Sequence, residues 1–275
     1  MIVFPNCKIN LGLHVVNKRD DGYHDLETIF YPIPLKDSLE IIVDTNAPNK
    51  TIEFSQSGLL VKGNNQDNLC VKAYNLLAAE YPNLPAVKAH LHKAIPMGAG
   101  LGGGSADASF MLKLLNEKCN LSLSEEQLMH YALQLGSDCP FFIYNKPCFA
   151  KGRGENLSPF QLNLRGYQLV IVNPGIHIST AMAFSGCNPQ NPSISLEEIV
   201  IEPIEKWKNL LINDFEDSIF RAYPEIEEIK KNLYSKGAIY ASMSGTGSSV
   251  YGLFSASANI NLGIPDNYYH KIIAL

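Results

Sequence analysis

Pro96-Met97-Gly98-Ala99-Gly100-Leu101-Gly102-Gly103-Gly104-Ser105-Ala106-Asp107-Ala108-Ser109 is the stretch from which the rest of the chain is read. Five of its glycines stand within seven residues, 98 to 104. Small helix formers follow, and then the apolar run Phe110-Met111-Leu112-Lys113-Leu114-Leu115. A loop without side chains that runs into a helix exposes backbone N–H groups at the positive end of the helix dipole. That arrangement holds phosphate. A flexible linker is the plain alternative, but linkers are polar and are not set between a strand and an apolar helix.

Better-known glycine loops are excluded one by one. Gly98-Ala99-Gly100-Leu101-Gly102-Gly103 satisfies G-x-G-x-x-G, and Val87 to Ile95 before it alternates like a strand. A dinucleotide site also needs a second strand ending in an acid about 20 residues on. Here Leu121-Ser122-Leu123-Ser124-Glu125-Glu126-Gln127 opens another helix instead. No lysine follows the glycines as a Walker loop requires, and the chain has neither His-Arg-Asp nor Asp-Phe-Gly of the protein kinases. Pro-Met-Gly-Ala-Gly-Leu-Gly-Gly-Gly-Ser-Ala instead resembles the second motif of the GHMP kinases, small-molecule kinases related to galactokinase, homoserine kinase and mevalonate kinase.

Composition narrows the setting. A chain of 275 residues suggests about two domains, and 46% hydrophobic residues suffice for their cores. The net charge of −5 and the lack of a basic run argue against nucleic acid as partner. A polyanionic ligand therefore has to be met by local positive groups. Six cysteines without a C-x-x-C pair read as reduced thiols. With no stretch of about 18 apolar residues and no leader-like start, a cytoplasmic, soluble protein is expected.

The periodicities predict strands over 2–16, 26–34, 37–43, 51–54, 87–95, 167–172, 238–243 and 250–254. They predict helices over 68–81 with Asp67 as N-cap, over the segment after the glycine loop, from Ser124 to Gly136, and over 204–211, 215–222 and 226–236. Ser124 and Gln127 make a capping box. The texture changes after Lys151-Gly152-Arg153-Gly154-Glu155, so the domain boundary is expected near 155–165, with domains 1–160 and 161–275.

The resemblance narrows further. Pro5-Asn6-Cys7-Lys8-Ile9-Asn10-Leu11 followed by Asp21-Gly22-Tyr23-His24 is similar to the N-terminal signature of the GHMP branch that phosphorylates the 2-hydroxyl of a cytidine diphosphate-linked methylerythritol. Four stretches match in order: 5–28, 93–109, 136–142 and 242–249. The resemblance implies ATP with Mg²⁺, small-molecule substrates, no nucleic acid, no membrane, a monomer or homodimer, and no dedicated metal ligands.

It also implies roles. Asp138, in Gly136-Ser137-Asp138-Cys139-Pro140, matches the catalytic aspartate; read alone, it fits an N-cap or turn as well. Lys8 matches the catalytic lysine, and read alone is a snorkelling strand lysine. Asn10 shares the face of Lys8 by the period of two and is expected at the polyol hydroxyls. Tyr23, His24 and Phe184, with Thr180, are expected around cytosine; ordinary core packing also accounts for Phe184. For ATP the set is Asn68, Lys93, Pro96, Met97, Gly98, Ala99, Gly100, Leu101, Gly102, Gly103, Gly104, Ser105 and Ala106. Gly245 and Thr246 belong to a second glycine turn over substrate and phosphates.

The implied fold is α+β: a two-lobed GHMP kinase with a mixed N-terminal sheet carrying helices, a smaller ferredoxin-like C-terminal lobe, and the active site in the cleft between lobes. Two departures stand out. Ala99 replaces a common glycine, and the family's last helix is trimmed or lost after Phe254. The alternatives are another kinase of the superfamily, acting on mevalonate, homoserine or a sugar, and a nucleotide sensor without activity. The presence of both Lys8 and Asp138 speaks against a sensor.

Overall fold

The computed structural model describes residues 1–60 and 63–275. The chain forms two units, one of Met1–Cys7, Leu35–Met97 and Gly102–Lys146, the other of Lys8–Pro34, Gly98–Leu101 and Pro147–Leu275.

The first unit is built on a four-stranded sheet ordered β1 (Ile2–Val3), β4 (Ser38–Val43), β6 (Val87–Lys93), β5 (Ile52–Gly58). Only the β5–β6 pair is parallel. β6 alternates strictly: Val87, Ala89, Leu91 and Lys93 point inward, Lys88, His90 and His92 outward. Against the inward face lie α1 (Leu69–Glu80) and α2 (Gly103–Lys118), with α3 (Glu125–Leu135) and α4 (Cys139–Tyr144) beside them. Helical spacing in α2 lines up Ala108, Met111, Leu112 and Leu115, all buried with Tyr74, Leu77 and Leu91 in one core.

Helix ends follow local chemistry. Ser124 and Gln127 form the expected capping box of α3. At α1 the cap is Asn68 and not Asp67: Asn68 accepts from the Cys70 amide at 2.9 Å, while Asp67 sits in a preceding 3₁₀ turn. Both types cap well, so composition alone does not choose between neighbours.

The second unit carries two sheets. One is ordered β2 (Asn6–Lys18), β3 (His24–Lys36), β7 (Cys148–Gly152), β8 (Asn156–Pro159). The ends Asn6–Cys7 and Leu35–Lys36 of β2 and β3 belong to the first unit. The other sheet, β10 (Tyr240–Met243), β11 (Val250–Ser255), β9 (Tyr167–Asn173), β12 (Tyr269–Ala274), is antiparallel throughout. α8 (Pro224–Ser235) packs on β10 and β11, and α7 (Glu216–Ala222) on α8. Their apolar faces meet in a core that includes Leu13, Val170, Phe215, Ile229 and Phe254. Of the short helices α5 (Thr180–Ser185) and α6 (Leu196–Val200), α5 adds Ala183 to this core.

One expectation is corrected, and one segment left unassigned by the sequence is now placed. The helix read over 204–211 is a 3₁₀ turn, Ile204–Asn209, entered from Pro203. After β11 the chain ends in a strand, β12, which takes an edge of the sheet beside β9.

Candidate active site

The glycine loop is split between the units. Gly98–Leu101 belongs to the second, and Gly102 onward to the first. Gly102, at φ 68, is the N-cap of α2 and has no side chain to offer the helix. The first bond of the helix runs from the Ala106 amide to the Gly102 carbonyl, 2.9 Å. Helix geometry therefore leaves the amides of Gly103, Gly104 and Ser105 without an intrahelical acceptor, at the positive end of a 16-residue dipole. An anion is the natural partner.

Beside that helix start the first unit encloses a cavity of about 110 Å³, lined among others by Gln56, Asn68, Lys93, Met97, Gly104 and Asp107. Four of the residues expected at the nucleotide therefore share one wall system. Two of the lining side chains carry buried oxygens without a partner, Gln56 Oε1 and Asp107 Oδ1.

Lys93 has a second task. The phase of β6 turns it inward, where a lone ammonium is costly. Its Nζ is held by Asp37 and, at 2.7 Å, by Asp107 Oδ2. Burial works against its charge, but Asp107 and Asp37 outweigh that and hold the ammonium above its ordinary pKa. Asp37 also accepts from the amides of Ala94 at 2.6 Å and Ile95 at 2.9 Å, fixing the entry to the glycine loop. Burial pushes Asp107 up to about 8, against the pull of Lys93.

In the second unit three distant stretches meet. The Lys8 amide donates to the Leu101 carbonyl at 3.0 Å, and the Ser249 amide to that of Ala99 at 3.2 Å. Ser244 Oγ donates to the Gly100 carbonyl at 2.8 Å, and accepts from the Asn10 amide at 3.3 Å. Lys8 Nζ is buried, donates to Asn10 Oδ1 at 2.5 Å and lies 4.7 Å from the Phe30 ring centre. Asn10 Nδ2 in turn donates to Thr28 at 3.0 Å. Gly245, at φ 55, is buried in this cluster and Thr246 is partly exposed at its edge.

Asp138 lies in the first unit, at the N-cap position of α4 and partly buried. Its carboxylate makes no capping bond to that helix. Asp138 stands in the turn before that helix, so the turn reading from the sequence is met while the capping bond is not. Burial pushes the thiol of the next residue, Cys139, up to about 12.

The residues expected around cytosine gather in the second unit. The turn 20–25 is stiffened by Arg19, which pairs with Asp21 at 2.9 Å and Asp25 at 3.2 Å. The hydrogen bond from Arg19 holds the Asp21 carboxyl below its ordinary pKa, and Asp21 accepts from the Tyr23 amide at 3.1 Å. Tyr23 is exposed with the Arg153 guanidinium 4.9 Å from its ring centre. His24 stacks on Phe184 at 4.6 Å and 18°, and Phe215 meets Phe184 edge-on. Thr180 is exposed at the start of α5.

Ser244, Thr28, Asp37 and Arg153 were not singled out from the sequence. The contacts that place them here, with Gly100, Asn10, Lys93 and the Tyr23 ring, are remote in sequence. Among the described residues no group of three or more His, Cys, Asp and Glu side chains is placed to hold a metal, and no helix is long and apolar enough to cross a membrane.

Known proteins supply the comparison. The model of the GHMP kinases N terminal domain matches residues 68–146, and that of the GHMP kinases C terminal domain matches 196–268. A 4-diphosphocytidyl-2-C-methyl-D-erythritol kinase of Bacteroides fragilis is 59% identical over 260 residues, 94% of each chain. That of Cytophaga hutchinsonii is 48% identical over 93% of each. A crystal structure of 4-(cytidine 5'-diphospho)-2C-methyl-D-erythritol kinase superposes with a TM-score of 0.81 at 28% identity, covering 100% of this chain and 99% of the other. A mevalonate kinase structure, at 14% identity and a TM-score of 0.71, shares the fold. With two family models in sequence order and relatives matched nearly end to end, this chain belongs to the GHMP kinases, in the family of the 4-diphosphocytidyl-2-C-methyl-D-erythritol kinases.

Proposed function

We propose that the chain transfers the γ-phosphoryl group of ATP to the 2-hydroxyl of 4-diphosphocytidyl-2-C-methyl-D-erythritol, a step of non-mevalonate isoprenoid synthesis. The observation that carries the kinase reading is the meeting of residues 8–10, 98–101 and 244–249 around the glycine loop that opens onto α2. The acceptor is taken from relatives such as that of Bacteroides fragilis.

Phosphoryl transfer needs positioning and charge stabilisation more than covalent help from protein. The bond between the γ-phosphorus and the β–γ bridging oxygen breaks, a bond from phosphorus to the substrate oxygen forms, and the hydroxyl proton needs a base. Asp138 is that base in this reading. Lys8, its ammonium anchored on Asn10, steadies the charge of the hydroxyl and the moving phosphoryl group. The amides of residues 103–105 take the phosphates, with 96–102 shaping the loop and Ala106 closing the first turn. The cavity of Asn68 and Lys93 takes the base. Mg²⁺ bound with ATP would neutralise part of the phosphate charge; no side chain is assigned to it. Tyr23, His24, Phe184 and Thr180 take the cytidine end, and Gly245 and Thr246 the substrate between. The same reading keeps sequence domains at 1–160 and 161–275, a division that differs from the compact units, in which 8–34 and 98–101 go with the second. It places the protein in the cytoplasm, in line with its six free cysteines.

The test is ADP release with the cytidine diphosphate substrate against mevalonate, homoserine and galactose. Turnover confined to the cytidylyl substrate is expected. Turnover of one of the others, with none of the cytidylyl compound, overturns the reading.

A further inference from the structure

The register of one sheet brings two turns side by side. β3 pairs with β7, with Leu26 opposite Gly152 and Glu27 opposite Lys151. The turn that precedes β3 therefore stands next to the one that follows β7. The first carries Tyr23, whose backbone is pinned at both ends: its amide donates to Asp21 at 3.1 Å, and its carbonyl accepts from the Arg19 amide at 2.9 Å. The ring itself is 55% exposed. The second turn carries Arg153. It is closed by the Gly154 amide on the Lys151 carbonyl at 3.1 Å and by the Arg153 amide on Glu155 Oε2 at 2.6 Å. The guanidinium then lies 4.9 Å from the centre of the Tyr23 ring, with Nε 3.6 Å from Glu155 Oε1.

An exposed ring on a turn has rotamers to lose when a base stacks on it, and that loss offsets part of the stacking energy. A guanidinium over one face favours a single setting of the ring and leaves the other face to a flat ligand. The Arg153 charge is also shared. Glu155 flanks it, and after the dominant hydrogen bond from Arg19 it helps to hold the Asp21 carboxyl below its ordinary pKa. A cation already set among carboxylates is better suited to holding a ring than to meeting a further anion.

We infer that Arg153 is a positioning residue for the pyrimidine end of the substrate, fixing the Tyr23 ring as a wall for cytosine. The inference rests on the reading of Tyr23 as a cytosine-stacking residue. Arg153 acts through the ring and touches neither the base nor the diphosphate.

The test is a double-mutant cycle on kcat/KM for the cytidylyl substrate, which initial rates give even where binding is too weak to saturate. Arg153→Ala alone should lose about two- to fivefold, the range of an exposed cation–π contact, and the loss should sit in KM. In a Tyr23→Ala background the same change should lose nothing, since the ring it acts on is gone. Both turns are held through backbone amides, so each variant should fold. No loss in Arg153→Ala, a loss carried by kcat, or an equal loss in the Tyr23→Ala background overturns the inference. The equal loss would mean that Arg153 meets the diphosphate or sets the turn through Asp21. In each of these cases a large loss in Tyr23→Ala itself leaves the cytosine wall in place. Full kcat/KM in Tyr23→Ala removes the wall and the inference together.

Discussion

Ser244 Oγ donates to the Gly100 carbonyl at 2.8 Å, and a Cβ built on Gly100 would stand 1.9 Å from the Ser244 carbonyl oxygen. The second glycine motif is thus laid directly on the first. Gly100 also has a φ of 76°, which side-chain-bearing residues avoid. Gly100→Ala should therefore push the two motifs apart. We expect a loss in kcat/KM of at least about tenfold and a thermal midpoint lower by several degrees, since backbone strain of this kind is on the order of 1–3 kcal/mol before the clash is added. Gly104→Ala is the control for stability, because its nearest neighbour, Met97 Cε, would be 3.6 Å away. A normal midpoint for Gly100→Ala in a thermal melt contradicts the packing argument.

Asp138→Asn should separate chemistry from folding. The carboxylate occupies the N-cap position of α4 without a capping bond, and asparagine keeps its shape and suits an N-cap equally well, so the helix should form in the variant. A positioned base is typically worth about 10²–10⁴-fold in rate. We expect kcat to fall within that range, with ATP binding and the thermal midpoint nearly unchanged. Steady-state rates beside a melting curve decide the matter; full activity in the variant removes the base from Asp138.

The cytidine end makes a prediction about selectivity. Tyr23 is exposed in a turn pinned by Arg19 and Asp21, so truncating it should leave the fold intact. Stacking on one base is worth roughly 1–3 kcal/mol. Tyr23→Ala should therefore raise the KM for the cytidylyl substrate by roughly five- to a hundredfold and leave that for ATP within about twofold. Equal effects on the two substrates would show that Tyr23 shapes the protein and not the clamp. Phe184 differs, because His24 already stacks on it and Phe215 abuts its edge. Its replacement should lower stability as well as affinity.

How much of this was legible beforehand varies by residue, for physical reasons. The glycine loop announces itself because its requirement is local: bare amides and a following helix. The inward phase of Lys93 was also in the sequence, since it keeps step with Val87, Ala89 and Leu91. What was hidden was the pair of carboxylates that makes this tolerable, because Asp37 and Asp107 come from other elements, 56 and 14 residues away. Ser244 was hidden likewise, its partner Gly100 lying 144 residues upstream. β12 escaped because its edge position leaves it mostly exposed, so its burial does not alternate cleanly. The cap of α1 was misplaced by one residue since Asp67 and Asn68 offer the same chemistry, and only the backbone distinguishes them.

Asp37→Ala should be the most destabilising of these single changes. It leaves Lys93 Nζ short of one carboxylate and the amides of Ala94 and Ile95 without their acceptor, at the entry to the glycine loop. Asp107 can ionise and keep the Lys93 ammonium paired, so the loss falls on the two amides, each costing about 1–3 kcal/mol when left without an acceptor. Urea unfolding should register a loss of that order; a loss under about 1 kcal/mol would mean that the loop entry is held by something else.

The pH dependence of stability should carry the mark of Asp107. Its carboxyl titrates near 4 in the unfolded chain and at about 8 when folded. Between those values the folded state binds a proton that the unfolded state has lost. Stability should therefore fall as pH rises from about 4 to about 8 and level off above, the opposite of the trend for a carboxylate whose pKa is depressed by folding. Asp107→Asn keeps the shape and removes the titration. Its unfolding free energy should lose that downward slope, so that the variant gains on the wild-type protein as pH rises from 5 to 8. Urea titrations at pH 5, 6.5 and 8 measure the difference directly, and parallel curves for the two proteins would mean that the proton is not held at Asp107.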